Sequence, residues 1–446
     1  MINNFLNFFC DCNKFALIMI GLVAFISLCV GSFASRYMKG DNRYQVFFVQ
    51  LILLIITVVM MVCTDNLIIL LIAWCLSNVF LVRLMIHKPN WDAAKASGII
   101  AAKNYFVSAC LLGSAFMIFY LTTGQISISN IIHYNSQSTE LFIALLLILI
   151  AAMMQSAIWP FHGWLISSLN SPTPVSAIMH AGLINGGGFL LIRFAPLYLQ
   201  HDALLTLIFA IGLITALLGT LWKLMQNDVK RMLACSTMGQ MGFMFVQCGL
   251  GLFPAAAAHL VWHGMFKAYL FLRSSSAAHD KCLDLGYPPQ FLTFTCSLFC
   301  GFVGSIAFNY ASCKSCLANN TTLVLIVIAF ITLSQFALTM LRFRNLTKLP
   351  ITLIATVLFG VWYGFNVQII AWIMAPMELM QPQPLNFFHI IGIMSLIITW
   401  LFTLFFEKLA QTTKLPSWIL KLYVVALNAS QPHPSTVTTY RTRYNY

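Results

Sequence analysis

Three side chains in the segment AAAAHLVWHGMFKAYLFL recur at a spacing of four: His259, His263 and Lys267. On a helix that spacing sets them in one stripe about 12 Å long. Imidazole exchanges protons near neutrality, and burial disfavours a charged amine, so a buried lysine beside histidines has the parts of a proton relay. A second arrangement uses the same residues without chemistry. The histidines are then hydrogen-bonded core groups, and Lys267 snorkels to an edge, with Arg273 about 9 Å further along the helix. A zinc site on His259 and His263 fits less well, because the glutamate of HExxH is missing and Lys267 adds a repelling charge.

A second constellation is QSAIWPFHGW followed by SPTPVSAIMHAGLINGGG. Pro160 interrupts one apolar run, and His162, His180 and Asn185 are the polar groups nearby, with Gln155 at its start. A proline inside such a run frees backbone carbonyls, which protein or a wet cavity must satisfy, and interrupted helices mark ion sites in many transporters. The glycines at 186–188 also allow plain close packing of helices. Lys103 lies in another apolar run, AAKNYFVS, where a relay role and a role at the edge of a span are equally consistent.

These groups need elements to position them, and composition says which. The chain has 446 residues, 60% of them hydrophobic and 8% charged, with mean hydropathy +0.87. A soluble domain carries about 25% charged residues, so a soluble enzyme, a disordered hub and a disulfide scaffold are excluded. The pattern predicts an all-α polytopic membrane protein of about 13 spans, near residues 15–33, 45–63, 66–86, 98–121, 141–165, 174–195, 203–223, 230–250, 254–273, 290–309, 322–342, 349–374 and 388–406. The first span reads as a retained span, because Arg36 and Lys39 follow it as a stop-transfer signal would. The expected organisation is an external segment over 1–14, a membrane domain over 15–406, and a cytoplasmic interfacial helix and tail over 407–446.

The net charge of +13 does not indicate nucleic acid. The cations sit in short clusters between apolar runs, as topology signals do. Connections after odd-numbered spans hold Arg36, Lys39, Arg43, Lys88, Lys95, Lys230, Arg231, Lys281, Arg344, Lys348, Lys408, Lys414 and Lys421, whereas the other side holds Lys14 and Lys314. The N-terminus is therefore expected outside and the C-terminus in the cytoplasm. All eleven carboxylates fall in connections or at span ends. An ion path here must rely on lysine, histidine, polar groups and water. Asp65 and Asp228 read as helix caps.

Most of the thirteen cysteines lie inside spans as small apolar residues. Two groups differ, Cys10 with Cys12 before the first span and Cys313 with Cys316 in an expected external loop, and the last two could be oxidised in a periplasm. Residues 416–428 read as a short interfacial helix. The tail QPHPSTVTTYRTRYNY reads either as a frayed end or as a strap that docks a partner.

The segments QSAIWPFHGWLISSLNSPTPVSAIMHAG, NDVKRMLACSTMGQMGFMF and AAAAHLVWHGMFKAYLFL resemble the core of the proton-translocating antiporter-like subunits, including NADH-quinone oxidoreductase chain 5 and the large Mrp antiporter subunits. The likeness covers residues 35–280. It implies two inverted five-helix repeats, spans 2–6 and 7–11, each with an interrupted helix. It also implies that Lys267 is the central relay lysine, lined or supported by His259, His263, His180 and Lys103. Two positions depart from the family. Its glutamate after a tryptophan is Cys75 here, following Trp74, and its partner lysine is Gln155. Losing both members leaves no stranded charge. Set against chain 5, the resemblance is expected to begin at the third helix and to leave out the lateral helix.

HAGLINGGGFLLIRFAPLY, QMGFMFVQCGLG and KLYVVALN narrow the resemblance to the membrane subunits of the DAB inorganic-carbon-accumulation complexes. That branch implies a non-enzymatic subunit of a bacterial inner membrane, conducting H+ or Na+. Its partner would be a cytoplasmic zinc subunit resembling a β-carbonic anhydrase, so no cofactor is expected in this chain. The alternatives are a subunit of a respiratory complex or multisubunit antiporter, and a non-conducting scaffold for a soluble enzyme.

Overall fold

In a bilayer the backbone has no water to bond, so apolar runs of this length fold as helices, which satisfy their own N–H and C=O groups. A computed structural model of the chain describes residues 14–134, 138–274, 289–312, 320–341, 346–412 and 416–437. Among them the structure is helical, with isolated β-bridges only. The helices are α1 Lys14–Tyr37, α2 Tyr44–Cys63, α3 Leu67–Met85, α4 Asp92–Thr123, α5 Thr139–Gln155, α6 Thr173–Ala181, α7 Gly186–Arg193, α8 Asp202–Leu224, α9 Val229–Gly249, α10 Phe253–Arg273, α11 Phe291–Ser312, α12 Thr322–Met340, α13 Leu349–Ile373, α14 Phe387–Thr412 and α15 Ser417–Ala429.

Every predicted span coincides with helix, and ten helical segments among the described residues are long and apolar enough to cross a membrane, counting α6 through α7 as one. The other three spans correspond to α5, α9 and α10. The first is 17 residues long because it stops at an interruption, and the other two carry the charged and polar residues of the candidate site.

The chain divides into two units. One comprises residues 1–248, 259–278 and 427–446, and the other 249–258 and 279–426. The second unit packs α11, α12 and α13 through small residues. A Cβ at Gly360 would strike the Gly304 carbonyl, and one at Gly301 would strike the Ser334 hydroxyl. The α11 helix runs unbroken through Cys300 and Gly304, and its glycines serve contact.

The first unit contains the interruption. The α5 helix ends at Gln155, and its last carbonyls are taken up by side chains. Asn104 Nδ2 and Trp164 Nε1 both donate to Met154 O at 3.0 Å, and Ser108 Oγ donates to Ala151 O at 3.0 Å. Between α6 and α7 the regular ladder fails over residues 182–185. Ser156 Oγ donates to Ile184 O at 2.6 Å, Gln155 Nε2 to Leu183 O at 3.3 Å, and Asn185 Nδ2 to Ala181 O at 2.7 Å. The carbonyls freed by the break are thus answered by protein. Gly187 lets the two segments meet, since a Cβ there would strike Ala152 O and Ser156 Oγ.

Connections expected on one side do lie together: Lys39 and Asp41, His87 and Lys88, Asn170 and Ser171, and Lys230 line a single polar cavity. At Asp65 the structure differs from the sequence expectation. Asn66 caps α3, accepting from the amides of Ile68 and Ile69, while Asp65 accepts from the Ser127 and Ser129 hydroxyls and pairs with Arg193 at 3.3 Å. Asp228 does cap, accepting from the Arg231 amide at 2.8 Å. The tail over 429–437 packs back on its own chain. Gln226 Nε2 donates to Ser430 Oγ at 2.8 Å, the His433 amide to Ser167 Oγ at 3.0 Å, and Asn170 Nδ2 to Thr436 O at 2.8 Å. Cys10, Cys12, Cys313, Cys316 and residues 438–446 lie outside the described residues.

Candidate functional site

Lys267 is 1% exposed. Its ammonium Nζ donates to Leu233 O of α9 at 3.3 Å. The same carbonyl accepts from Thr237 Oγ1 at 2.9 Å, and Thr237 Oγ1 lies 3.2 Å from His180 Nδ1 on α6. A hydroxyl has one proton, and this one is committed to Leu233, so His180 must donate at Nδ1. Lys267, the Leu233 carbonyl, Thr237 and His180 therefore form one hydrogen-bonded line across α10, α9 and α6. The His180 ring is held flat against Phe271, centroids 4.1 Å apart.

One turn and two turns before Lys267, the rings of His263 and His259 stack with centroids 6.0 Å apart at 15°. Both are buried, and neither Nε2 has a protein partner. The spacing of four thus produces the expected stripe, and Gly264 lets α10 approach the interruption, where the Ala181 carbonyl faces it. No carboxylate among the described residues is buried; Asp41, Asp65, Asp92, Glu140, Asp202, Asp228 and Glu378 are all exposed or half-exposed at helix ends and turns. Among the described residues no group of three or more His, Cys, Asp or Glu side chains is placed to hold a metal.

Beside the interruption lies a narrow cavity of about 40 Å³, room for a few water molecules. Ser27, Trp74, Ser77, Gln155 and Asn185 are its polar lining. Gln155 and Asn78 form a reciprocal amide pair, Gln155 Nε2 to Asn78 Oδ1 at 3.1 Å and Asn78 Nδ2 to Gln155 Oε1 at 3.3 Å. Trp74 Nε1 and Asn185 Oδ1 are buried without a protein partner.

The structure does not gather every residue the sequence pointed to. Of the five assigned to the interrupted-helix cavity, only Gln155 and Asn185 line it. Pro160 is exposed and His162 is half-buried against Trp222, because α5 ends five residues before the proline and the chain has already turned outward. Cys75 is half-buried and off the cavity; Asn78, one turn later, meets Gln155 instead. Lys103 is exposed, apart from the buried set. Sequence reasoning missed Thr237, Asn78 and Ser156. Each is one of two adjacent polar residues inside an otherwise apolar run (Ser77-Asn78, Gln155-Ser156, Ser236-Thr237), which is the signal that could have found them.

An interrupted helix packed against a buried amine, within a bundle of membrane-length helices, defines a polytopic membrane protein organised around an internal polar line. Residues 64–285 match the family model described as NADH:quinone oxidoreductase/Mrp antiporter, TM, and residues 6–48 match the chain 5 N-terminus of NADH-ubiquinone oxidoreductase (complex I). The chain belongs to this NADH:quinone oxidoreductase/Mrp antiporter family. It is 38% identical over 279 residues to the probable inorganic carbon transporter subunit DabB1 of Halothiobacillus neapolitanus, covering 61% of this chain and 50% of that one. It is 40% identical over 283 residues to the probable inorganic carbon transporter subunit DabB of Hydrogenovibrio crunogenus, covering 60% and 53%. The chain thus spans about half the length of these curated relatives. In fold it resembles a chain of the Mrp complex from Dietzia sp. DQ12-45-1b, with TM-score 0.58 and 20% identity, covering 97% of this chain and 46% of that one.

Proposed function

We propose that this chain is the cation-conducting membrane subunit of an inorganic-carbon uptake complex in a bacterial inner membrane, and not itself an enzyme. The observation that carries the reading is the line from Lys267 through Leu233 O and Thr237 to His180, with His263 and His259 leading to it. Lys267 would hold and release the moving proton, the imidazoles would exchange it, and Thr237 would keep His180 in register. The buried groups are nitrogen bases without carboxylates, a set that carries protons better than it would coordinate Na+, a hard cation that prefers oxygen ligands. The neutral Asn78–Gln155 pair supports the expectation that the family's other charged pair has been retired here.

In this proposal spans 2–6 and 7–11 are inverted repeats, all 13 spans cross, the N-terminus is external and the C-terminus cytoplasmic. The partner is a cytoplasmic zinc subunit resembling a carbonic anhydrase, which hydrates CO2 to bicarbonate in one direction. Each inward charge would supply about 2.3 kcal/mol per 100 mV of membrane potential. The two relatives named as probable inorganic carbon transporter subunits support this branch. A second reading, a divergent subunit of a respiratory complex or a multisubunit cation/proton antiporter, draws on the wider family and the Mrp-like fold. Affinity purification from the native membrane separates them. A soluble zinc protein in stoichiometric amount is the expected result. Several small hydrophobic subunits with no zinc protein would overturn it.

A further inference from the structure

The polar cavity at the ends of α1, α3 and α6 has about 490 Å³ of free space, and Lys267, Thr237 and His180 are not among its lining residues. Three lysines line it: Lys39 after α1, Lys88 after α3, and Lys230 on α9. The acid facing it, Asp41, is already engaged, accepting from the Arg43 amide at 2.8 Å and lying 3.1 Å from His87 Nε2. The surplus charge is therefore positive. The α6 helix starts at Thr173, directly after the lining residue Pro172 and without a side-chain cap, so the positive end of its dipole lies at the cavity wall. Ser171 is one of the lining residues and is 3% exposed, and its buried hydroxyl has no hydrogen-bond partner. Lys230 Nζ donates to the Ser171 carbonyl at 3.4 Å, which brings an ammonium beside that hydroxyl and the helix start. Tyr37 and Trp91 complete the wall.

We infer that this cavity binds an oxyanion, either a free ion such as phosphate or bicarbonate or the phosphodiester of an anionic lipid, held by Lys230, Lys88, the Ser171 hydroxyl and the start of α6. An unpaired buried hydroxyl, an uncapped helix start and three ammonium groups are complementary to several acceptor oxygens at once, and a neutral or cationic ligand would leave them unanswered. Nothing in this site depends on proton conduction through Lys267.

The test uses the full-length purified chain in a neutral detergent. Inorganic phosphate and bicarbonate are titrated separately by calorimetry, and native mass spectrometry looks for retained phosphatidylglycerol or cardiolipin. Saturable binding of either ion identifies a free-ion site, and one retained anionic lipid identifies a lipid site; both support the inference. Lys88→Gln with Lys230→Gln is expected to weaken that binding by roughly 100-fold, about tenfold per lost charge. Lys39→Gln, at an exposed side chain that leaves packing untouched, is expected to weaken it less. The inference is overturned if neither ion nor anionic lipid binds, or if binding survives unchanged in a well-folded double variant.

Discussion

Thr237→Val removes a single hydroxyl from the internal line and keeps the side chain's shape. In the structure that hydroxyl links the Leu233 carbonyl, shared with Lys267, to His180 Nδ1. Leu233 O keeps Lys267 as a donor, so the loss falls on His180, which is 2% exposed and loses the acceptor at its Nδ1. Leaving a buried donor unsatisfied costs about 1–3 kcal/mol. Added to the barrier for proton movement, that cost slows flux by about 5- to 150-fold, at tenfold per 1.36 kcal/mol. The assay is proton entry into proteoliposomes under a potassium diffusion potential, read with a trapped pH dye. Thr237→Ser, which restores the hydroxyl, should recover most of the rate. A Thr237→Val protein that elutes as a single species and conducts like the wild type would refute the hydrogen-bonded line as the route.

Two further outcomes follow from other contacts. Asn78→Leu or Gln155→Leu alone strands its amide partner and should lower stability by about 1–3 kcal/mol, whereas the double replacement should cost less than the sum, as a double-mutant thermal-melt cycle would show. Outside the spans, burial disfavours the Asp41 carboxylate, but the Arg43 amide and the His87 ring outweigh it and hold its pKa below the ordinary 3.8. A lowered folded-state pKa contributes stability that is fully present above 3.8 and lost as pH falls through the folded value. Asp41→Asn should therefore lower the melting temperature at pH 7 and shrink the difference from wild type in the most acidic buffers.

How far the sequence led can be judged residue by residue. Hydropathy located the helices because helix is the backbone's main solution in lipid, and spacing placed His259, His263 and Lys267 on one stripe because a helix repeats every 3.6 residues. Which helix faces that stripe is a packing fact that periodicity does not encode, so Thr237 went unnoticed although it joins Lys267 to His180. The interruption was legible, but its position relative to Pro160 was not. The proline marked a break in the run, while the helix had already ended at Gln155, where Asn104, Trp164 and Ser108 answer its last carbonyls. Cys75 was singled out by alignment with a charged position, yet it is Asn78 whose amide reaches Gln155. Lys103 carried a charge in an apolar run, and its side chain lies on the outer face of α4, away from the buried set.

The central claim is that the Lys267 amine carries the proton. Lys267→Gln preserves size and a hydrogen bond to Leu233 O but cannot titrate, and it should insert and purify normally. Potential-driven proton flux in proteoliposomes is the direct measurement. The expected result is flux at the level of protein-free vesicles for Lys267→Gln, with a wild-type rate that does not change when Na+ is removed. Wild-type flux through a correctly inserted Lys267→Gln protein would contradict the account.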